Sequence, residues 1–199
     1  MSFYNTIEQE GFAEFKDRGS KFLAYAFPFV EITQLKTIIQ KLKKEHPKAA
    51  HFCFAYRIGI TKSVFRSSDD GEPSGSAGKP ILGQLDSKEI TDTLVVVVRY
   101  FGGTLLGVPG LINAYKSAAA MALQVVPIIS KPILVKYSLQ FNYTQLNDIM
   151  MIINQFNCVI EKKESQLFCN FTIGVPTERV DNVIHLLNEL QNVEILNLL

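Results

Sequence analysis

The sequence of 199 residues is poor in cysteine and has no long apolar run, and each shortage excludes a class of protein. The three cysteines, Cys53, Cys158 and Cys169, have no paired spacing and lie in apolar or alternating segments, as reduced, buried thiols do. No run reaches the roughly 18 apolar residues of a membrane span, and acids stand where a secretory signal would have a basic start. We therefore expect a cytoplasmic protein with no membrane partner.

Net charge is also nearly absent, because 20 basic residues are matched by 19 acidic ones, for a formal charge of +1. A molecule this close to neutral has no overall field that gathers nucleic acid or an acidic membrane. If RNA is a partner, a local patch must hold it. With 47% apolar and 20% charged residues, the composition is that of an ordinary globular protein.

The first part of the chain alternates strands and helices. Residues 11–30 predict a hairpin around a glycine turn, and residues 33–46 an amphipathic helix capped by Thr33 with its lysines outward. A strand of alternating residues follows at 51–60, and "SVFRS" is expected to pair with it. The polar, turn-rich run from Ser67 to Lys79 predicts no regular element.

After that loop, "TLVVVVRYF" predicts a strand buried on both faces, and a helix is expected to end near Val125. Two prolines in "VPIISKPILV" interrupt either kind of element, so we place a domain boundary there, between residues 1–131 and 132–199.

The second domain follows a simple order of elements. We predict strand, helix, strand, strand, helix and strand at residues 134–142, 143–155, 158–163, 167–174, 177–190 and 193–198. This βαββαβ order is that of a ferredoxin-like plait, so the fold class is α+β with two domains.

The segment "RYFGGTLLGVPGLINAYKSAA" joins the buried strand to a helix through four glycines. Its glycines do not have the GxGxxG spacing of a dinucleotide loop, and Val108 and Pro109 stand where a Walker loop needs lysine and serine or threonine. Two interpretations remain open. The segment is either a corner where helix and strand pack closely, or a helix start that meets an anion beside Arg99.

The second unusual segment is "SSDDGEPSGSAGKPIL", which carries three acids. Asp69, Asp70 and Glu72 either form turns or hold a hard cation, but they lack the spacing of a calcium loop, and no histidine–cysteine arrangement supports zinc. We therefore expect no metal and no cofactor. Ser74 and Ser76 lie among small residues as an exposed nucleophile would, and His51 is a candidate base, although the segment is not a nucleophile elbow.

Four stretches together resemble the IMPACT family, also called the YigZ family, in its bacterial two-domain type. They are "SKFLA", "HFCFAY", "DDGEPSGSAGKPIL" and "VVVVRYFGGTLLGVPGLINAY", in the order and at the spacing of the family. The resemblance implies a first domain folded like the second domain of a small-subunit ribosomal protein. It also implies a second domain similar to the last plait of translocation factor G, and it links the eukaryotic relatives to control of translation initiation.

The resemblance also marks a signature surface and four departures from it. From this surface we expect binding by Ser20, Arg99, Tyr100, Gly102, Gly103, Gly107, Gly110 and Tyr115, and we add Lys79 and Asn113 as further binding candidates outside it. The departures are Leu105, where a lysine is common, Val108 and Pro109, where small residues are expected, and Asn113, where arginine is usual. The two missing cations remove up to two phosphate contacts from this corner.

Three functional hypotheses follow. The main one is a non-enzymatic protein that binds RNA, the ribosome or an associated protein and tunes translation, with Arg99, Lys79 and the helix start in one cleft with the acidic loop. The second is a hydrolase or other small-molecule enzyme that uses His51 as base, an acid from Asp69, Asp70 or Glu72, and Ser74 or Ser76 as nucleophile. The third is a protein scaffold that works through an edge strand of the plait.

Overall fold

The computed structural model describes residues 2–165 and 168–198, and the chain divides into two compact units. One unit is Tyr4–Lys131, and the other is Pro132–Leu199 together with Met1–Phe3. Each has a hydrophobic core of its own. Within the described residues, no helix combines the length and the apolar character that crossing a membrane requires.

The larger unit is built on a five-stranded antiparallel sheet in the order β2-β3-β6-β4-β5. Its strands are β2 (Gly11–Asp17), β3 (Ser20–Pro28), β4 (His51–Ile58), β5 (Val64–Ser68) and β6 (Thr93–Tyr100). Three helices accompany it, namely α1 (Gln34–Glu45), α2 (Gly78–Ser87) and α3 (Gly107–Gln124). A separate two-stranded sheet joins β1 (Phe3–Ile7) to β7 (Ile128–Pro132).

Helices cover both faces of the sheet, and the strand patterns explain why. On β4, Phe52 and Phe54 pack with α1, whereas Cys53 and Ala55 belong to the core shared with α2 and α3. This is the alternation that the sequence predicts. Residues 93–99 of β6 are buried without interruption because this central strand faces a core on each side, so the predicted doubly buried strand is confirmed.

The predicted hairpin is confirmed and carries a tight turn. Strands β2 and β3 pair in register from Asp17 and Ser20 outward, and Arg18 and Gly19 turn the chain with φ values of 42° and 81°. Two consecutive positive φ angles match the twist of a two-residue hairpin.

The smaller unit has the predicted ferredoxin-like order. Its elements are β8 (Leu134–Phe141), α4 (Leu146–Gln155), β9 (Val159–Ser165), β10 (Cys169–Pro176), α5 (Val180–Glu189) and β11 (Val193–Asn197). The sheet order β11-β8-β10-β9 leaves β9 and β11 at the edges, and single 3₁₀ turns precede both helices. The predicted third strand includes Leu167, which lies outside the described residues. The α+β, two-domain fold class is confirmed.

Three details of the sequence-based prediction are wrong. The run from Ser67 to Lys79 is not wholly irregular, because β5 ends at Ser68 and α2 begins at Gly78. The prolines of "VPIISKPILV" do not prevent β7, since Pro132 is its last residue, a position that tolerates a missing donor. Thr33 does not cap α1, because its hydroxyl donates to Glu31 Oε2 instead.

Candidate functional site

The glycine segment between β6 and α3 is first of all a packing corner. A Cβ on Gly102 would lie 1.9 Å from the carbonyl carbon of Gly19, and the Gly102 N–H donates to Ser20 Oγ at 3.1 Å. A Cβ on Gly110 would lie 2.7 Å from Nη2 of Arg18, whose guanidinium donates to the carbonyl before α3. Ser20, Gly102 and Gly110 therefore hold the β2–β3 turn against the start of α3.

The other two glycines of the segment shape its turns. Gly103 and Gly107 have φ values of 84° and 71°, which side chains rarely adopt. Gly107 opens α3 and also lines a cleft beside that helix.

Asp69 organises the loop between β5 and α2. Its carboxylate accepts hydrogen bonds from the N–H groups of Gly75, Ala77 and Gly78 at 2.8 to 3.0 Å. Burial on its own would raise the pKa of Asp69, but these three donors outweigh it, and the pKa is lowered. This carboxylate is occupied by its own loop and is not offered to a ligand.

Asp70 joins the same loop to strand β4. Its Oδ2 accepts the N–H of Phe52 at 2.6 Å, and its carbonyl lies 2.7 Å from Nδ1 of His51. Asp70 and Gly71 both have positive φ, at 42° and 88°. The first two acids of the loop therefore act as turn formers, one of the two interpretations that the sequence left open.

Glu72 is different, because its carboxylate is buried in a cluster of functional side chains. The Glu72 side chain is 4% exposed, and its Oε1 accepts from Arg99 Nη1 at 2.5 Å and from Tyr115 Oη at 2.7 Å. The side chain of Arg99 is 6% exposed, and its guanidinium carbon lies 5.5 Å from the ring centroid of Phe22 and 5.7 Å from that of Phe101. Three residues far apart in sequence thus form one buried charged group.

His51 completes this group with a fixed orientation. Because a carbonyl only accepts, Nδ1 of His51 must donate to Asp70, and in the neutral ring Nε2 is then an acceptor. That Nε2 lies 3.9 Å from Oε1 of Glu72. The histidine and the acid on which the enzyme hypothesis depends are therefore neighbours.

Burial makes the remaining polar groups of the cluster unreactive. Desolvation raises the pKa of Cys53 to about 12 and also raises the pKa of Tyr115. Cys53 Sγ lies 3.0 Å from the carbonyl of Asp69 and 3.4 Å from Tyr115 Oη. A thiol in this state is a poor nucleophile.

The cluster forms the floor of a cleft of about 530 Å³ beside α3. His51, Glu72 and Arg99 supply its polar part. Its walls are apolar and consist chiefly of Pro73, Phe101, Leu105, Leu106, Val108 and Leu111. A mostly apolar concavity with a few convergent polar groups is the usual form of a small-ligand site.

Several predicted site residues lie elsewhere. Lys79 and Asn113 are exposed, on α2 and α3, and neither lines the cleft. Ser74 is exposed, and Ser76 is fully buried with its hydroxyl donating to the carbonyl of Pro73, so neither serine reaches the cleft. Neither candidate nucleophile of the enzyme hypothesis therefore lies at the floor of the cleft.

Tyr100 points to the opposite face of the sheet, where it belongs to a cluster that sequence reasoning missed. Its hydroxyl lies 2.9 Å from His46 Nδ1, and Tyr25 Oη lies 2.7 Å from His46 Nε2. The ring of Phe12, 52% exposed, lies 5.0 Å from that of Tyr25. Burial, followed by the charge of Glu45, raises the pKa of Tyr25.

This cluster lies beside the most basic segment of the chain. Residues 34–48, which are α1 and the turn after it, carry five lysines and one glutamate. Lys21 on β3 is opposite Tyr100, and Lys43 lies 5.4 Å from the ring of Phe52. We call the aromatic cluster and these lysines the α1 face. The sequence indicated this face only through the outward lysines that it predicted for α1.

Comparison with known proteins gives a consistent assignment. A model of the Impact N-terminal domain matches residues 18–123. The chain is 37% identical over 147 residues to IMPACT family member YigZ of Escherichia coli (strain K12), covering 73% of this chain and 72% of that protein. It is 36% identical over 146 residues to IMPACT family member YvyE of Bacillus subtilis (strain 168), covering 73% and 67%.

A solved structure extends the similarity to the whole chain. It is described as a crystal structure of an hypothetical protein, and it matches with a TM-score of 0.77 and 29% identity over 100% of this chain and 98% of its own. The fold is therefore that of a two-domain α+β protein whose larger unit is an Impact N-terminal domain. The chain belongs to the IMPACT family, in its bacterial two-domain type, and the resemblance seen in the sequence is confirmed.

Proposed function

We propose that this protein regulates translation by binding single-stranded RNA, such as exposed ribosomal RNA, through the α1 face. The concentration of positive charge carries the proposal. The whole chain has a formal charge of +1, whereas residues 34–48 alone carry five lysines against one acid. That is the local patch that a nearly neutral protein needs in order to hold a phosphate backbone.

The aromatic cluster supports single strands as the form of RNA that is bound. Unpaired bases stack on exposed aromatic rings, and such stacking is sequence-tolerant. Phe12 offers a half-exposed ring, and Tyr25 and His46 extend the platform across the sheet, with ring centroids 5.0 and 5.8 Å apart. The two tyrosine hydroxyls bond to His46, which holds these rings in place.

The state of Arg99 supports the choice of this face over the cleft. Arg99 is buried and paired with Glu72, so its charge is already neutralised and its guanidinium is not free to meet phosphate. Leu105 and Asn113 stand where family members often have cations. We therefore place the phosphate contacts on the α1 face and not in the cleft, where the sequence alone suggested them.

Family membership supports the regulatory part of the proposal. The resemblance links the family's eukaryotic members to control of translation initiation. It also implies a first domain folded like a domain of a ribosomal protein, which agrees with a role in translation. In this account the protein binds RNA without chemical change, in the cytoplasm, and needs no cofactor.

A pair of matched substitutions tests the proposal. Phe12→Ala removes a half-exposed ring from the α1 face, and Phe65→Ala removes a ring of similar exposure, 54%, from β5 on the other side of the sheet. Binding of fluorescein-labelled oligouridine is followed by anisotropy. We expect Phe12→Ala to weaken binding by about 5- to 100-fold, the effect of removing one stacked base, and Phe65→Ala to leave it unchanged.

Equal effects of the two substitutions would contradict the proposal, and so would an RNA affinity that does not fall with rising salt. Circular dichroism of both variants provides the folding control.

A further inference from the structure

The floor of the cleft presents two hydrogen-bond acceptors that the protein leaves open. Both donors that reach Glu72 from Arg99 and Tyr115 bond to Oε1, and no donor among the described residues bonds to Oε2. Nε2 of neutral His51 is an acceptor because Nδ1 donates to Asp70. Both residues line the base of an apolar cavity, where His51 Nε2 lies 3.9 Å from Oε1 of the same Glu72 carboxylate.

The same floor contains one unused donor. Among the described residues, Arg99 Nε is the one buried side-chain nitrogen or oxygen without a hydrogen-bond partner. Its side chain is 94% buried and lines the cleft. A buried N–H with no acceptor is destabilising, and natural proteins rarely leave one unless a ligand or water completes it.

The charges of the floor select an uncharged ligand. The carboxylate of Glu72 and the guanidinium of Arg99 form an ion pair at 2.5 Å, so together they carry no net charge. An extra anion or cation would enter an apolar cavity without a counter-ion and would lose its hydration there. The walls, formed by side chains such as Leu105, Leu106 and Leu111, favour an apolar body.

We propose that the cleft binds a neutral carboxamide carried on an apolar body. The amide NH₂ donates to Glu72 Oε2 and His51 Nε2, and the amide oxygen accepts from Arg99 Nε after a small shift of the guanidinium. The cavity of about 530 Å³ accommodates a ring or a branched chain attached to the amide. This site lies on the opposite face of the sheet from the α1 face and is independent of RNA binding.

A series of ligands that share one ring tests the chemistry. Cyclohexanecarboxamide, its N,N-dimethyl derivative, cyclohexanecarboxylate and cyclohexylmethylammonium are titrated into the full chain and followed by ¹H–¹⁵N correlation spectra. We expect the primary amide to bind with millimolar or tighter affinity, at least about tenfold more tightly than each of the others. The shifts should centre on residues 99–111.

Two variants separate the roles of floor and wall. Glu72→Gln converts the open acceptor into an amide and should reduce binding of the primary amide while leaving the dimethyl amide unchanged. Leu105→Asp, at an 82% exposed position, should weaken binding of both amides and of the carboxylate without unfolding the protein. Ile60→Asp, at an exposed position in the β4–β5 turn, is the control for an added surface charge.

The proposal is overturned if the carboxylate or the ammonium binds as tightly as the amide, or if no member of the series binds at millimolar concentration. It is also overturned if Leu105→Asp and Ile60→Asp have the same effect on ligand binding. This comparison does not depend on Glu72→Gln, so it tests the cleft even if the Glu72→Gln variant does not fold.

Discussion

Replacing Arg99 by methionine should destabilise the larger unit strongly, because the substitution leaves the carboxylate of Glu72 buried without its counter-charge. Glu72 is 4% exposed, and Tyr115 would remain its one strong donor. Removing one partner of a buried ion pair costs about 3–5 kcal/mol, whereas removing both charges costs much less. We therefore expect Arg99→Met to cost about 3–5 kcal/mol, and Glu72→Gln in the same chain to recover most of the loss.

Hydrogen exchange of the amides of residues 95–98 is the suitable assay. These residues lie in the central strand β6 and are fully buried, so their exchange reports the opening of this sheet and not of the second unit. The expected loss corresponds to protection reduced by about 10²- to 10⁴-fold in Arg99→Met. Protection reduced less than tenfold, or a double variant no more stable than the single one, would refute the reasoning.

Three further predictions follow from the corner, the acidic loop and the thiol. Gly102→Ala should lower the free energy of unfolding by about 1–3 kcal/mol, because its Cβ would meet the backbone of Gly19 at 1.9 Å. Gly83→Ala in α2 has open space around it and should raise the free energy of unfolding by up to about 1 kcal/mol. Urea unfolding compares the two variants, and equal effects would contradict close packing at Gly102. Asp69→Asn should be less stable than the natural chain at neutral pH. Because the pKa of Asp69 is lowered in the folded state, this difference should persist above the ordinary value of 3.8 and vanish as the pH falls through the lower folded value; urea titrations between about pH 7 and about pH 2 check this, and a pH-independent difference would count against it. Cys53, with a pKa of about 12, should resist iodoacetamide at about pH 8 in the folded protein and react after denaturation, as measured by mass spectrometry; rapid labelling of the folded chain would show that the thiol is not buried.

The periodic elements were predictable from sequence because their patterns are local. The alternation of β4 and the unbroken apolar run of β6 follow from which faces of the sheet are covered. The helix α2 was missed because Gly78, Pro80 and Gly83 look like helix breakers in isolation. Its burial of Ile81 and Leu85 depends on tertiary packing, and Gly78 is required where the chain passes the backbone of Ser68 at contact distance.

The residue types of the site were predictable, but their pairing was not. Glu72, Arg99 and Tyr115 come from a loop, a strand and a helix, and no spacing in the sequence indicates that their side chains meet. The bond between His46 and Tyr100 joins residues 54 positions apart in the same way. Such contacts are set by the sheet register, which local patterns do not specify.

The salt dependence of RNA binding tests the central claim most directly. Lys44→Gln with Lys48→Gln removes two exposed charges beside His46, and Lys79→Gln with Lys116→Gln removes two exposed charges from α2 and α3. We expect the substitutions at Lys44 and Lys48 to weaken oligouridine binding. They should also make the plot of log affinity against log salt less steep, by about 0.7 for each phosphate that the variant no longer neutralises. The substitutions at Lys79 and Lys116 should change neither the affinity nor the slope. Equal slopes for the two pairs, or a larger effect of the second, would contradict RNA binding through the α1 face.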